Sequence, residues 1–230
     1  MGSRAVSADP KHAVLYARAF LAGLRSANVL GSAKHFPGLG GANLDTHHDL
    51  PSVNKSWKEL WAADLYPYRT MHRELPMILI GHANYPLVTH DQSPASLSRK
   101  WIGEVLRRKI GYRGLVVSDD LEMGGVLKAV QIERAAVEHI RAGGDLCLIC
   151  HMEEYVTRCY DELVKTAEHE AKFARRVMES VAHVLAFKKK SRFLKRRPSA
   201  PSPARLEKLS RQVWEFGEEV RIARLKRANP

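Results

Sequence analysis

The sequence predicts an α/β fold, a parallel sheet covered by helices, and three observations carry that expectation. Short, largely apolar runs, such as residues 77–83 (MILIGHA) and 115–117, fit strands buried on both faces rather than the alternation of a half-exposed sheet. Each run is followed by a longer stretch whose apolar residues recur at helical spacing. Polar, potentially chemical residues then sit just after each run: Lys34-His35, His82, Asp119-Asp120 and His151. Sites of (β/α)8 TIM-type barrels are built at that C-terminal end of the strands. Four strands are expected, beginning near residues 29, 77, 115 and 145, against the eight a full barrel needs.

Along the chain, Asp9-Pro10 marks a helix start, because the Asp side chain accepts from free backbone N–H groups and proline at the first helical position loses nothing. Val14, Ala17, Leu21 and Leu24 supply its buried face. A short strand over residues 29–34 leads into HFPGLGGANLDTHHDLP, where Gly38, Gly40 and Gly41 rule out regular structure. Trp57, Leu60, Trp61 and Leu65 repeat at helical spacing, and the strand at 77–83 follows. Next come a helix through SLSRKWIGEVLRRKIG with Ser96 or Ser98 as cap, the strand LVVSDD, a helix over 126–142, the strand within GGDLCLICH, and a long helix from near Glu153. The organisation expected is a body over 1–187, a basic Pro/Ser-rich linker over 188–203, and an amphipathic C-terminal helix or tail over 204–230.

Composition excludes several classes. At 230 residues and 45% hydrophobic the chain can bury a sizeable core, so wholesale disorder is excluded. No apolar run approaches the roughly 18–20 residues a bilayer span requires, and no membrane partner is expected. The net charge of +12 invites a nucleic-acid reading, but residues 188–230 carry 14 Lys and Arg against 4 Asp and Glu, which leaves only +2 for the body. With Phe193 as the one aromatic platform between Lys188 and Arg197, a solvated tail is expected rather than nucleic-acid binding. Three clustered cysteines, Cys147, Cys150 and Cys159, make a poor disulfide framework and suit a reducing, cytoplasmic setting. Cys147-Leu-Ile-Cys150-His151 matches a haem-attachment spacing formally, but in an apolar strand the pair reads as buried thiols, and no cofactor is expected.

Two groups carry chemistry. Asp119, at the end of a strand, can attack a sugar anomeric carbon and form a covalent intermediate, or it can simply cap the following helix, for which Asp120 is the better candidate. In the loop Asp45-Thr46-His47-His48-Asp49, a carboxylate beside an imidazole makes a proton shuttle near neutral pH; the same residues also read as a solvated loop or, less readily, as metal ligands, and no metal is expected. Lys34 and His35 offer donors to sugar hydroxyls or to an anion, whereas His82 reads as structural.

Lys34-His35-Phe36-Pro37-Gly38, then Asp45-Thr46-His47, then Leu50-Pro51 resembles the KHFPGHGDT-x-x-DSH-x-x-LP signature of family 3 glycoside hydrolases of the bacterial β-N-acetylhexosaminidase type. The run PASLSRKWIGEVLRRKIGYRGLVVSDDLEM is similar to that family's second signature, and the likeness spans roughly residues 1–187. The resemblance implies a retaining hydrolase that removes terminal β-linked N-acetylglucosamine, as from peptidoglycan-derived muropeptides. It implies Asp119 as nucleophile, His47 as general acid/base, Asp45 as the group that orients His47, and Arg4, Lys34 and His35 as substrate contacts, with N-acetylglucosamine-containing carbohydrate as the partner. Leu39 stands where the family has His, and Gly41-Ala42 where it has Asp-Thr. The first barrel strands would precede Arg4, so the expected fold is the C-terminal portion of a (β/α)8 barrel, incomplete at the N-terminus. The competing expectation is an inactive remnant or carbohydrate-binding pseudoenzyme.

Overall fold

Pro10 has no N–H to leave unused in a first helical turn, and the Asp9 carboxylate accepts from Lys11 N–H at 2.8 Å, so α1 (Pro10–Ser26) begins where the Asp-Pro pair places it. Val14 and Leu21 are its buried face. The computed structural model describes residues 5–42, 50–191 and 199–228. These form two compact units that divide between residues 192 and 193.

In the first unit, β1 (Ser32–Phe36) starts three residues later than the apolar run suggests and extends through Lys34-His35. Pairing decides this: Ser32 lies opposite Met77 and Ala33 opposite Ile78 on β2 (Met77–Ile80). Between them, α2 (Trp57–Ala62) opens on a capping box in which Ser56 and Glu59 satisfy each other's backbone N–H, and α3 (Tyr66–Met71) restarts at Pro67. After β2 come α4 (Pro86–Thr89), a 3-10 turn at Ala95–Leu97 and a π-helix over Lys100–Lys109. That helix ends on an i→i+5 bond from Ile110 N–H to Val105 O at 2.9 Å. Its inward face is Trp101, Ile102, Val105 and Leu106, and β3 (Leu115–Asp120) follows.

The expected helix over 126–142 is two pieces, α5 (Gly124–Leu127) and α6 (Ile132–Ala142), the latter ended by Gly143 at φ +117°, a backbone state glycine adopts freely. Beyond β4 (Leu146–Leu148), the long helix expected from Glu153 also divides, into α7 (Glu153–His169) and α8 (Ala171–Lys190). Glu170 is extended between them, and its carboxylate pairs with Arg141 at 2.6 Å. Lys188, Lys189 and Lys190 finish α8 rather than opening a linker. In the second unit, α9 (Pro203–Ala228) is one helix. No helix among the described residues is long and apolar enough to cross a membrane.

The four strands among the described residues are parallel and run in the spatial order β1-β2-β3-β4, each neighbouring its sequence successor. Doubly wound sheets reverse direction at a switch point; a sheet that winds one way is barrel-type. The core under it joins Phe36, Ile78, Ile80 and Val116 to Leu60, Leu65, Met71 and the inward face of the π-helix. Trp101, wholly buried, packs against Tyr85 at 4.9 Å and Phe36 at 6.2 Å between ring centroids, which joins the end of β1 to the segment that follows β2.

One core residue gives the fold a pH dependence. His139 on α6 is fully buried and donates from Nδ1 to Ser96 O at 2.7 Å, and burial pushes its pKa down to about 4. The unfolded chain takes up that proton near pH 6.5, so stability present at neutral pH is lost as pH falls through the window from about 6.5 to about 4, by roughly 3 kcal/mol from this group. Urea midpoints at pH 7, 5 and 4 should drop more steeply for the wild type than for His139→Gln; parallel slopes would contradict this.

Candidate active site

The C-terminal ends of the strands bring His35 of β1 and Asp119 of β3 together. His35 Nε2 lies 3.4 Å from Asp119 Oδ2, and the two side chains are 13% and 18% exposed, sheltered yet reachable. Asp119 Oδ1 also accepts from Asp120 N–H at 3.0 Å, so one oxygen is seated on the backbone and the other faces the imidazole. Lys34, next to His35, is exposed. Arg4, Asp45 and His47 lie outside the described residues.

Both flanks of the segment that carries Asp45 and His47 are anchored at this same end of the sheet. Gly38 takes φ +131°, and a Cβ there would stand 2.7 Å from Asp64 Cβ, so only glycine fits. Tyr85 OH donates to Gly38 O at 2.6 Å, and Asp64 is itself held by Lys55 Nζ at 2.8 Å. Ala42 bridges to Val53, whose N–H reaches Asn84 O, while Asn84 N–H reaches Pro51 O, each at 2.9 Å. Residues 42 and 51–53 are thereby stitched to one another and to the chain that follows β2.

The turn after Asp119 is held from the β4 side. Glu122 accepts from Cys150 and His151 N–H through Oε2, both at 2.6 Å, and from Met152 N–H through Oε1 at 2.9 Å, capping the entry to α7. Those N–H bonds hold its carboxyl below the usual range against the opposing pull of burial. Asp120, expected as a helix cap, instead accepts from Glu122 N–H at 3.1 Å within the turn itself; Met123 is the residue ahead of α5. His151 Nδ1 stands 3.2 Å from Asp120 Oδ2 and 3.3 Å from Glu122 Oε2. These three are the group of metal-ligand type among the described residues, with one donor atom each inside 4.8 Å. With both Glu122 oxygens already accepting backbone N–H groups, the cluster works as a clamp on the loop.

The cysteines need one correction. Cys147 and Cys159 are sheltered, and burial pushes the Cys147 thiol up to about 12, but Cys150 lies beyond the end of β4 and is exposed, so it is not a buried strand thiol. His82, which the residues alone read as structural, makes contacts that reach the site. It is wholly buried at the end of β2, with Nδ1 2.7 Å from Ser96 Oγ and Nε2 2.8 Å from Asp120 O. The available signal was positional: His82 lies just beyond the end of its strand, next to the strand ends that carry His35 and Asp119.

Residues 1–187 match the model of the glycosyl hydrolase family 3 N-terminal domain. A β-hexosaminidase of Tolumonas auensis is 38% identical over 153 residues, which is 66% of this chain and 45% of that protein. The structure of a glycoside hydrolase family 3 β-N-acetylglucosaminidase from a Paenibacillus species superposes with a TM-score of 0.78 at 30% identity, covering 84% of this chain and 36% of the other. The β-N-acetylglucosaminidase of Thermotoga maritima gives 0.72 at 31% identity, covering 80% and 40%. The chain spans about 45% of the length of the curated relative it matches. Its four consecutive parallel strands are accordingly part of a TIM-type barrel, and the chain belongs to glycosyl hydrolase family 3.

Proposed function

We propose that this chain carries the catalytic part of a retaining β-N-acetylhexosaminidase that removes terminal, non-reducing β-linked N-acetylglucosamine. The observation that carries the reading is the Asp119 carboxylate, seated on a strand end and reached by His35 at 3.4 Å, in a chain whose relatives are named β-hexosaminidase. In the proposed reaction Asp119 attacks the anomeric carbon, the aglycone oxygen leaves with a proton from His47, and a glycosyl-Asp119 ester forms. Water, deprotonated by His47, then attacks the same carbon and releases the sugar with its configuration retained. Asp45 orients the His47 ring, and Lys34, His35 and Arg4 bind the sugar.

The role of His35 follows from its place. An imidazole beside the carboxylate offers a donor to the oxygen that will become the ester carbonyl, or to a neighbouring sugar hydroxyl, and it adds no negative charge near the developing oxocarbenium ion. Muropeptides derived from peptidoglycan are the proposed substrate class. The free thiols of Cys147, Cys150 and Cys159 support a reducing cytoplasmic setting for it.

The test is hydrolysis of a chromogenic β-N-acetylglucosaminide followed by proton NMR. The β-anomer of free N-acetylglucosamine should appear first; the α-anomer first would refute a double displacement, and no hydrolysis by the folded chain would refute the activity.

A further inference from the structure

We infer that His82 and Ser96 form a positioning pair that sets the direction of the Asp119 carboxylate, an inference that rests on Asp119 being the nucleophile. A carbonyl oxygen only accepts, so the 2.8 Å contact between His82 Nε2 and Asp120 O requires the proton on Nε2. A neutral ring then has a bare Nδ1, and the Ser96 hydroxyl at 2.7 Å donates to it. The tautomer is therefore fixed by its partners at both ends.

The consequence reaches Asp119 through one peptide unit on each side of Asp120. Asp120 N–H holds Asp119 Oδ1 at 3.0 Å, and Asp120 O is held by His82. The next residue continues the restraint, since Leu121 N–H donates to Leu148 O at 3.0 Å. A rotation of the Asp120 peptides that swung the carboxylate away from the sugar would have to break the His82 bond inside a site with no water access: His82 and Ser96 are both wholly buried. Ser96 cannot drift either. Its N–H donates to Gly81 O at 3.2 Å, and its carbonyl accepts from His139 Nδ1 at 2.7 Å, which ties the turn to β2 on one side and to α6 on the other.

His82 touches no reacting atom in this scheme. Its contribution is geometric: an attacking oxygen held in line with the anomeric carbon, where misplacement by about 1 Å is enough to cost on the order of 100-fold. That assigns it an effect on the chemical step and little effect on sugar affinity.

The experiment pairs kinetics with 15N NMR of the histidine rings in the full chain. Ser96→Ala removes one hydroxyl and should fold; it should lower kcat about 10-fold while KM moves less than about 3-fold, and His82→Gln should lower kcat about 100-fold. In the wild type, His82 should show a protonated Nε2 and a bare Nδ1; Ser96→Ala should keep the Nε2 proton on Asp120 O and shift the Nδ1 resonance as its hydrogen bond is lost. Unchanged kcat in a folded Ser96→Ala, or a KM rise that accounts for the whole loss, overturns the pair. If the wild type hydrolyses nothing, the functional reading falls and the tautomer decides the pair alone. A wild-type His82 protonated on Nδ1, or an Nδ1 resonance that Ser96→Ala leaves unmoved, overturns it; an Nε2 proton with an Nδ1 resonance that moves in Ser96→Ala supports it.

Discussion

Replacing Asp119 by Ala should reduce kcat toward a chromogenic N-acetylglucosaminide by roughly four orders of magnitude or more, with the fold intact, because in the proposed mechanism its loss leaves only binding and general acid assistance. The side chain is 18% exposed and its partners are His35 and its own neighbour's N–H, so no core packing is lost. Circular dichroism and a urea midpoint close to wild type should confirm that the variant folds. Asp119→Asn should be nearly as inactive, since the amide keeps the shape and loses the nucleophilic charge. A variant within about 10-fold of wild type would show that the attacking group is elsewhere.

The largest stability effect should come from the opposite end of the strands. Asp145, immediately before β4, has a side chain with no solvent exposure and sits between two guanidinium groups: Arg107 Nη2 at 2.5 Å and Arg176 Nη2 at 3.1 Å. Val116 N–H donates to it at 3.0 Å, and His183 Nδ1 lies at 3.0 Å. One carboxylate thus joins the π-helix, α8 and β3 at the foot of the sheet. Removing it leaves two arginines, only 14% and 17% exposed, facing each other without a counter-charge. Breaking a buried pair by removal of one partner costs on the order of 3–5 kcal/mol, so Asp145→Ala should lose about that much in urea unfolding. Asp145→Asn should lose less, because it can still accept from Val116 N–H. A loss below about 1 kcal/mol for Asp145→Ala would mean that the network is ornamental.

Much of the scaffold was legible in the residues because local rules and tertiary packing agree there. Asp9-Pro10 opens α1, and LVVSDD is β3 residue for residue. The parallel sheet followed from the unbroken apolarity of the strands, and residues 1–187 of the family match cover the body that the likeness marked out. What was illegible depended on partners distant in sequence. β1 begins at Ser32 because Met77 lies opposite, a register that no local pattern encodes. α7 and α8 separate at Glu170, whose side chain pairs with Arg141, 29 residues earlier, a contact that no local pattern encodes. The helix expected after Ser96 or Ser98 became a 3-10 turn and a π-helix, with Ser96 turned to His82.

The candidate site divides the same way. Residue types at strand ends pointed to His35 and Asp119, and the structure brings those two within 3.4 Å. They gave no hint of Glu122, because a carboxylate that accepts three N–H groups from residues 150–152 is visible only once β3 and β4 are side by side. His82 was passed over for a related reason: a histidine in an apolar run reads as core, and its partners, Ser96 and Asp120 O, are 14 and 38 residues away.

The central claim, a sugar ester on Asp119, is tested most directly by trapping it. A 5-fluoro-N-acetylglucosaminyl fluoride slows both steps by destabilising the oxocarbenium-like transition state, while its good leaving group still lets the first step proceed. Incubated with the wild-type chain, digested and sequenced by mass spectrometry, it should leave one glycosyl unit on Asp119 in the peptide spanning β3, with no adduct in Asp119→Ala. An adduct on any other residue, or turnover of natural-type substrate with no adduct at any carboxylate, would contradict the account.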